Sequence, residues 1–307
     1  MPHILVLYYT QTGQLKSILD RVVSDIHSDV QITFQKIEPE NPFPFPWTAE
    51  TFFDAMPEAV SHDPIPLKPF PSEVLNASYD FVILGYQPWF LNPSQPITSF
   101  LKSQDAKILS GKPVMTVIGC RNMWLHGQEV VKKHLIENGA HLKGNIVLLD
   151  KHPNLTSLLT VIRWAFKGQK EASKNLPEAG VSQMDIEDAK KYGPVISKSV
   201  LNQDFSNLHN EFIKLKAVEL NSGLIILERR GIGQFRKWSK YIRAKGGPGA
   251  PERLGRVKLF MRLLMVGIFV LSPISNFTAS IKKALSKKQL EKEAQYFRGI
   301  EYVENAL

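Results

Sequence analysis

The N-terminal segment contains a buried strand that runs directly into a polar turn and an amphipathic helix. Residues 4–8 form an unbroken apolar run, which is typical of a parallel strand covered on both faces. Apolar residues then recur at helical spacing from Leu15 to Ile26. The turn between them therefore places the free N–H groups of a helix N-terminus at the end of a strand. Such a position favours an anion, phosphate above all.

This turn has the composition of a phosphate-binding loop. Hydroxyl side chains can donate hydrogen bonds to phosphate oxygens, and Gly13 lets the backbone approach a ligand closely. The glycine spacings of the Rossmann and P-loop motifs are absent from it. The candidate phosphate-binding residues are Thr10, Gln11, Thr12, Gly13, Gln14 and Leu15. The alternative is an ordinary strand-to-helix turn without a ligand.

Further apolar segments alternate with helical patterns along the chain. The predicted strands are residues 30–37, 80–84, 113–119 and 145–149, and the predicted helices are residues 96–107 and 127–138. This alternation predicts an α/β fold with a doubly wound, five-stranded parallel sheet over residues 1–152. The strand at 30–37 alternates between apolar and polar residues and so fits the edge of the sheet. Ligands of such sheets bind where the loops after the first, third and fourth strands meet.

Aromatic side chains follow the third and fourth predicted strands. The candidate ligand-binding residues there are Gln87, Pro88, Trp89 and Phe90 after the third strand, and Gly119, Cys120, Arg121 and Trp124 after the fourth. A flat ring system could stack between these aromatic side chains, beside the phosphate turn. The alternative is that each aromatic residue packs in the core, which is the usual fate of a single Trp.

Residues 38–71 are rich in proline and in aromatic residues. Proline removes backbone donors, so we expect an irregular segment with one short helix from Thr48 to Met56. Flexible linkers are rarely this aromatic. We therefore interpret the segment 38–71 as an ordered flap over part of the site, and the alternative is a loop packed on the outer face of the domain.

The turn and the strand–helix alternation resemble those of flavodoxin-fold FMN proteins, over about residues 1–150. Thr10, Thr12 and Gly13 match the flavodoxin phosphate loop, whereas Gln14 and Leu15 stand where that loop has an Asn or Ser and a hydroxyl residue. A closer resemblance is to a bacterial family named for dialkylresorcinol biosynthesis. The segments that carry it are residues 8–15, 44–47, 84–89 and 117–124.

The resemblance implies FMN as the cofactor and an oxidoreductase that aromatises a 2,5-dialkylcyclohexane-1,3-dione to a dialkylresorcinol, beside a partner ketosynthase. For that reaction His126 and Tyr86 are the candidate bases or proton shuttles, and Arg121 is the candidate for holding an enolate oxygen of the dione. A His at a helix start is more often structural. Two other functions stay open: a quinone or flavin reductase that uses NAD(P)H, and a flavin-free scaffold that holds the ketosynthase at a membrane.

Residues 153–222 are expected to form a helical extension packed on the sheet domain. The predicted helices are residues 154–167, a segment that Ser182 caps and that ends near Tyr192, and residues 202–220. No catalytic or binding residue is predicted in this extension.

The positive charge of the chain lies in its C-terminal third. Residues 1–200 carry 19 basic and 20 acidic side chains, and residues 201–307 carry 19 and 9. The uncharged run 263–281 is apolar only over 263–271, which is shorter than the about 20 residues that span a bilayer. We therefore predict that the basic tail 224–307 contacts an anionic membrane surface peripherally. A homo-oligomer interface is the alternative, and nucleic acid is disfavoured because no recognition fold is apparent.

Cys120 is the single cysteine, which excludes an intrachain disulfide and a multi-cysteine metal cluster. No metal site is predicted. The N-terminus lacks a basic region ahead of a long apolar one, so no signal peptide is visible. We expect a cytoplasmic protein that is peripherally associated with the inner membrane.

Overall fold

The computed structural model describes residues 1–268 and 287–307. The strands of its main sheet are β1 (His3–Tyr8), β2 (Gln31–Lys36), β3 (Phe81–Tyr86), β6 (Pro113–Cys120) and β7 (His141–Leu149). Two short strands, β4 (Pro88–Trp89) and β5 (Asn92–Pro93), form an antiparallel ribbon after β3. The main sheet is parallel and has the order β2-β1-β3-β6-β7. This is the strand order of a flavodoxin-like doubly wound sheet, so the predicted fold class is confirmed.

Helices connect the strands and follow the last of them. Those of the sheet domain are α1 (Gln14–Ser24), α2 (Ala49–Asp54), α3 (Met56–Ser61), α4 (Ser72–Asn76), α5 (Gln95–Leu101) and α6 (Leu125–Glu137). Those after β7 are α7 (Asn154–Lys167), α8 (Gln183–Asp188), α9 (Gly193–Leu201), α10 (Leu208–Lys214), α11 (Ser222–Arg243), α12 (Pro251–Val266) and α13 (Lys287–Arg298).

The inner strands are apolar because helices cover both of their faces. Leu5 in β1 and Ile83 in β3 are fully buried, as expected of a parallel strand between two helical layers. In contrast, β2 lies at one edge of the sheet, and its side chains are half-buried or exposed. The predicted edge position of this strand is therefore confirmed.

Successive side chains of β3 identify the helices on each face. At Gly85 an added Cβ would lie 2.6 Å from Leu19 Cδ1 of α1. Tyr86 points the opposite way and donates a hydrogen bond to Gln128 Oε1 of α6, at 2.7 Å. Because adjacent residues of a strand face opposite sides, α1 and α6 cover opposite faces of the sheet.

Two predicted helices differ from those in the structure. The predicted helix 202–220 is shorter in the structure, where α10 (Leu208–Lys214) lies within that range. Asn202 instead caps the end of α9, because Pro194 lies in the first turn of α9, where a missing N–H is tolerated, and so begins a helix instead of ending one. The helix predicted at 96–107 ends early, at Leu101. Ser103 is extended there and a 3-10 turn over Gln104–Leu109 follows.

The flap 38–71 contains two short helices, where one was predicted. Thr48 and Thr51 form a reciprocal capping box at the start of α2, which fixes the point where the irregular chain becomes helical. Pro57 lies in the first turn of α3 and has no N–H to continue the preceding helix. Helix α2 therefore ends before Pro57, and a separate helix follows.

The described C-terminal helices pack back onto the sheet domain and its flap. Helix α11 lies against α3, α6 and α13, and α12 lies against α2 and α11. Residues 269–286 of the predicted basic tail, which include the end of the apolar run 263–271, lie outside the described residues. Among the described residues, no helix has the length and hydropathy that crossing a bilayer requires.

Candidate functional site

A cavity of about 470 Å³ lies at the carboxyl-terminal edge of the sheet, and we call it the edge cavity. The loops after β1, β3 and β6 contribute to its wall, where the strand order reverses between β1 and β3. Open α/β sheets bind their ligands at this switch point. The candidate residues in the wall are Gln11, Thr12, Gln14, Leu15, Gln87, Pro88, Trp89, Phe90, Gly119, Cys120 and Arg121.

The turn after β1 presents backbone donors at the start of α1. Gly13 occupies the N-cap position with φ 84°, and its N–H donates to Thr10 Oγ1 at 3.0 Å. The N–H groups of Gln11, Thr12 and Leu15 have no acceptor within residues 1–268 and 287–307. These donors and the positive end of the helix dipole suit an anion at the edge of the cavity.

The amide side chains of Gln11 and Gln14 hold neighbouring segments against this turn. Gln11 Nε2 donates to the Pro44 carbonyl of the flap at 2.9 Å. Gln14 Nε2 donates to the Val181 carbonyl at 3.0 Å, and the Val181 N–H donates back to Gln14 Oε1 at 3.1 Å. Their backbone belongs to the turn, and their amides position the flap and the segment at Val181, so their predicted role in binding the cofactor stays a prediction that rests on the backbone.

The floor of the edge cavity is closely packed. Leu15 is 2% exposed and lies beneath the turn. At Gly119, an added Cβ would lie 2.9 Å from Ile18 Cδ1 and 3.5 Å from Leu15 Cδ1. A side chain at position 119 would therefore displace Ile18, so glycine lets the end of β6 pack closely on α1.

Tryptophan rings form two sides of the cavity. Trp89 packs edge-to-face against Tyr9 at 5.8 Å and against Trp47 of the flap at 5.6 Å between ring centroids. Trp164 of α7 also lines the cavity and contacts Phe45 of the flap in the same manner. Edge-to-face pairs fix ring orientation, so the indole of Trp89 is held in place before any ligand enters.

Arg121 is the one charged residue in the described part of the cavity wall. Its Nη1 donates to the carbonyl and to Oδ1 of Asn154, at 3.1 and 3.0 Å, which directs the guanidinium along the wall. Cys120 lies beside it. Burial raises the pKa of the Cys120 thiol far above its usual range, so this side chain is a neutral thiol and not a nucleophile.

Three predicted site residues lie elsewhere. Trp124 is 1% exposed and packs in the main core, so its ring does not reach the edge cavity. The Tyr86 hydroxyl is fully buried in its bond to Gln128 on the α6 face of the sheet. His126 borders a different cavity, with His62 and His134. Burial lowers its pKa to about 3, which leaves the ring neutral. The predicted roles of Trp124, Tyr86 and His126 at the site are therefore corrected.

The remaining wall comes from residues that sequence reasoning missed. They include Val161, Trp164 and Ala165 of α7, and Gly180 in the loop that follows α7. Leu227, Gly231 and Phe235 of α11, Leu264 of α12 and Ile268 just after α12 complete this set. The glycine at position 180 is a sequence signal that could have been used, because its conformation and packing favour a residue without a side chain. It has φ +82°, and an added Cβ would lie 2.5 Å from Gln14 Oε1 and 2.9 Å from Trp164.

No protein-family model and no curated protein sequence matches this chain. Among solved structures, a putative flavoprotein from Bacteroides uniformis ATCC 8492 is 19% identical, with a TM-score of 0.36, over 50% of this chain and 94% of that one. A flavoprotein in complex with FMN from Lactobacillus acidophilus NCFM is 18% identical, with a TM-score of 0.37, over 48% and 93%. A flavodoxin, WrbA-like protein from Agrobacterium tumefaciens is 12% identical, with a TM-score of 0.37, over 66% and 99%. Scores of this size support neither a cofactor nor a reaction, so the flavodoxin-like class of this chain rests on its strand order.

Proposed function

We propose that the protein is an FMN-dependent oxidoreductase whose cofactor occupies the edge cavity. One observation carries this proposal: a turn with free N–H groups, a tryptophan wall and an arginine converge in a single cavity at the switch point of a flavodoxin-like sheet. A phosphorylated cofactor with a flat ring system needs an anion site and an apolar slot side by side. The edge cavity offers both.

The residues present fit FMN by two tests. An added Cβ at Gly13 would meet nothing within 4 Å, so the space above the N-terminus of α1 is open for a phosphate. The indoles of Trp89 and Trp164 lie in the same cavity wall and could border a flavin ring. In this arrangement the backbone of residues 11–15 would hold the phosphate. Bound FMN would supply a two-electron acceptor or donor.

The substrate that we propose is a lipophilic cyclic dione, which would be oxidised to the aromatic diol. Aromatisation would remove two hydrogens from the dione. Bound FMN would accept one hydride equivalent, water would accept one proton, and dioxygen or a quinone would be the final electron acceptor. Arg121 would stabilise the enolate oxygen of the dione, since a guanidinium in this mostly apolar wall favours negative charge on a neighbouring oxygen. Because the described wall holds no carboxylate or imidazole that could act as a base, water would accept the proton.

A second candidate is reduction of a lipophilic quinone at the expense of NAD(P)H. The composition of the wall favours this reaction as well. Among the described residues, the wall holds Arg121 and no carboxylate or imidazole. Such a wall suits a reaction in which the product takes its protons from solvent.

Gly13→Asp tests the cofactor site, with Gly111→Asp as its matched control. Both glycines have positive φ, +84° and +71°, and at both an added Cβ meets nothing within 4 Å, so the backbone strain is comparable. A carboxylate at position 13 would repel the cofactor phosphate, and we expect flavin affinity to fall by about tenfold or more. The Gly111→Asp protein should bind flavin as the wild type does. Equal affinity of both variants would contradict the site.

Product analysis separates the two reactions. The flavin-loaded protein is incubated with a 2,5-dialkylcyclohexane-1,3-dione under air, and separately with an alkyl-1,4-benzoquinone and NADPH without oxygen. Resorcinol formation in the first mixture supports the dione oxidase, and quinol formation in the second supports the reductase. Flavin binding with neither product would refute both reactions and leave the cofactor assignment standing.

A further inference from the structure

A second cavity, of about 460 Å³, adjoins the edge cavity, and we call it the side cavity. It lies between α7, α11 and α12. The two cavities share seven wall residues: Arg121, Met123, Leu227, Gly231, Phe235, Leu264 and Ile268. A molecule longer than the edge cavity could therefore extend past this shared wall into the side cavity.

The side cavity is lined mainly by apolar side chains. Those that it does not share with the edge cavity include Leu158, Trp238, Phe260 and Leu263. Polar groups stand in its wall at Asn154, Arg230 and Gln234. Apolar walls with few polar groups fit a hydrocarbon chain, since each buried methylene contributes about 0.8 kcal/mol of transfer free energy.

The side cavity reaches the surface along one exposed row of α12. Leu259, Leu263 and Val266 are 42%, 48% and 48% exposed, and their spacing places them on one side of the helix. Leu263 also lines the side cavity, so the row adjoins the cavity wall. Three neighbouring exposed aliphatic side chains on one helix are unusual for a surface that contacts only water.

Basic side chains flank this row. Arg262 is exposed beside it, and Arg230 of α11 is exposed and also lines the side cavity. Neither of these two arginines has an ion-pair partner within residues 1–268 and 287–307. An apolar stripe with exposed cations nearby complements the surface of an anionic bilayer, where acyl chains lie beneath negatively charged headgroups.

We propose that α12 docks on an anionic lipid bilayer through Leu259, Leu263 and Val266, and that the side cavity takes up the hydrocarbon chain of an amphipathic substrate from that bilayer. The reacting ring of the substrate then lies in the edge cavity and its chain in the side cavity. This inference names the substrate class of the proposed oxidoreductase and rests on that function only for the identity of the reacting ring.

Gly267→Trp tests the chain-binding cavity. Gly267 lines the side cavity and not the edge cavity, its backbone is helical, and an added Cβ there meets nothing within 4 Å, so an indole can enter the cavity without backbone strain. The control is Gly233→Trp, on an exposed position of α11 that is equally open and lines neither cavity.

The probes are n-alkyl-1,4-benzoquinones of increasing chain length, bound to the full-length protein and followed by quenching of tryptophan fluorescence relative to each protein's own unliganded signal. In the wild type and in Gly233→Trp, affinity should rise about fourfold per added methylene until the chain fills the cavity. In Gly267→Trp, the rise should stop at a shorter chain. Identical chain-length profiles for Gly267→Trp and Gly233→Trp would overturn the chain-binding cavity.

Vesicle flotation tests the docking row. Leu259→Gln with Val266→Gln is compared with Leu201→Gln with Ile136→Gln, where the control residues are 40% and 58% exposed on other helices. The wild type should bind vesicles of phosphatidylcholine and phosphatidylglycerol in equal parts, more weakly at high salt, and phosphatidylcholine vesicles less. The α12 double variant should bind the anionic vesicles about tenfold more weakly or worse. Unchanged binding of this variant, or equal loss in the control, would overturn the docking row.

Flavin titration of the same preparations separates the two proposals. If the protein binds flavin and the dependence of affinity on chain length is the same in Gly267→Trp as in Gly233→Trp, the proposal of a chain-binding cavity is wrong and that of the oxidoreductase is retained. If Gly267→Trp changes the dependence of affinity on chain length but the protein binds no flavin, the proposal of a chain-binding cavity is retained and that of the oxidoreductase is wrong.

Discussion

The sheet and the C-terminal helices are held by different kinds of contact. In the sheet, Leu5, Ile83 and Val117 are fully buried among other aliphatic side chains. Helix α12 instead meets the flap through Arg253, whose side chain is fully buried and bonds Asp54 at 2.6 Å and Glu58 at 2.7 Å. The first region is stabilised by apolar burial, and the second depends on paired charges inside a small apolar cluster.

The other C-terminal helices add buried polar contacts to the apolar side chains that they place in the main core. Lys132 and Glu129 of α6 form a buried ion pair at 2.8 Å, and the Tyr296 hydroxyl of α13 donates to Glu129 at 2.6 Å. Glu228 of α11 is fully buried at the N-terminus of α6, where it accepts from the His126 N–H at 2.8 Å.

Buried polar contacts contribute little net free energy when complete, but they are costly to break, because the partner left behind is a buried group without compensation. We therefore expect the position of the C-terminal helices to be specified by a few polar residues. The sheet should tolerate exchanges between aliphatic residues of similar volume far better.

Arg253→Ala should have the largest effect on the C-terminal helices. It leaves Asp54 and Glu58 without their cation, and we expect the free energy of unfolding to fall by about 3–5 kcal/mol in urea denaturation. Hydrogen exchange should rise in α2 and α12 while β1 and β3 keep their protection. Uniform loss of protection across the sheet would contradict the separation of the two regions.

Glu228→Gln should change how stability depends on pH. Burial raises the pKa of Glu228 to about 8, whereas an unfolded Glu has a pKa of 4.5. Between these values the folded state holds a proton that the unfolded state has lost, so this group makes the protein less stable as pH rises from 4.5 towards 8. The loss ends above pH 8, where both states are ionised.

The glutamine keeps the bond to the His126 N–H and cannot ionise. Relative to the wild type, its free energy of unfolding should therefore increase by roughly 2–5 kcal/mol between pH 5 and pH 8. The exposed Glu252 supplies the control, as Glu252→Gln, which should run parallel to the wild type. A Glu228→Gln curve parallel to the wild type would show that this carboxyl is not held protonated.

Lys258→Ala should have the smallest effect. Lys258 also joins α12 to the flap, through Glu50 at 2.7 Å, but both side chains are about half exposed. Water screens such a pair, and we expect a change of less than about 1 kcal/mol in the free energy of unfolding. A loss as large as that of Arg253→Ala would mean that burial does not distinguish the two ion pairs.

The sequence predicted the sheet well because β1, β3 and β6 are short apolar runs bounded by polar or glycine residues and β2 alternates as an edge strand does. The turn after β1, the loops after β3 and β6, and helix α7 were placed for the same local reasons. The site was only half predicted. Its outer wall depends on pairings such as that of Gln14 with Val181, which are 167 residues apart and leave no periodic signal.

Side-chain direction was the second source of error. Tyr86 ends a strand beside the cavity, yet it follows Gly85, which faces α1, and so must face α6. Trp124 lies just before α6 and His126 lies in its first turn, where a shift of one residue changes whether a side chain points to the edge cavity or to the core. Pattern reasoning located these residues correctly along the chain and could not give their direction.

Flavin titration of the full-length protein, after removal of any co-purified flavin, tests the central claim most directly. Trp47, Trp89 and Trp164 line the edge cavity, so bound FMN should quench tryptophan emission while its own visible absorbance shifts. We expect both signals to saturate together at one FMN per chain. Unchanged tryptophan emission and an unshifted flavin spectrum, at flavin concentrations far above that of the protein, would contradict the assignment of the edge cavity to FMN.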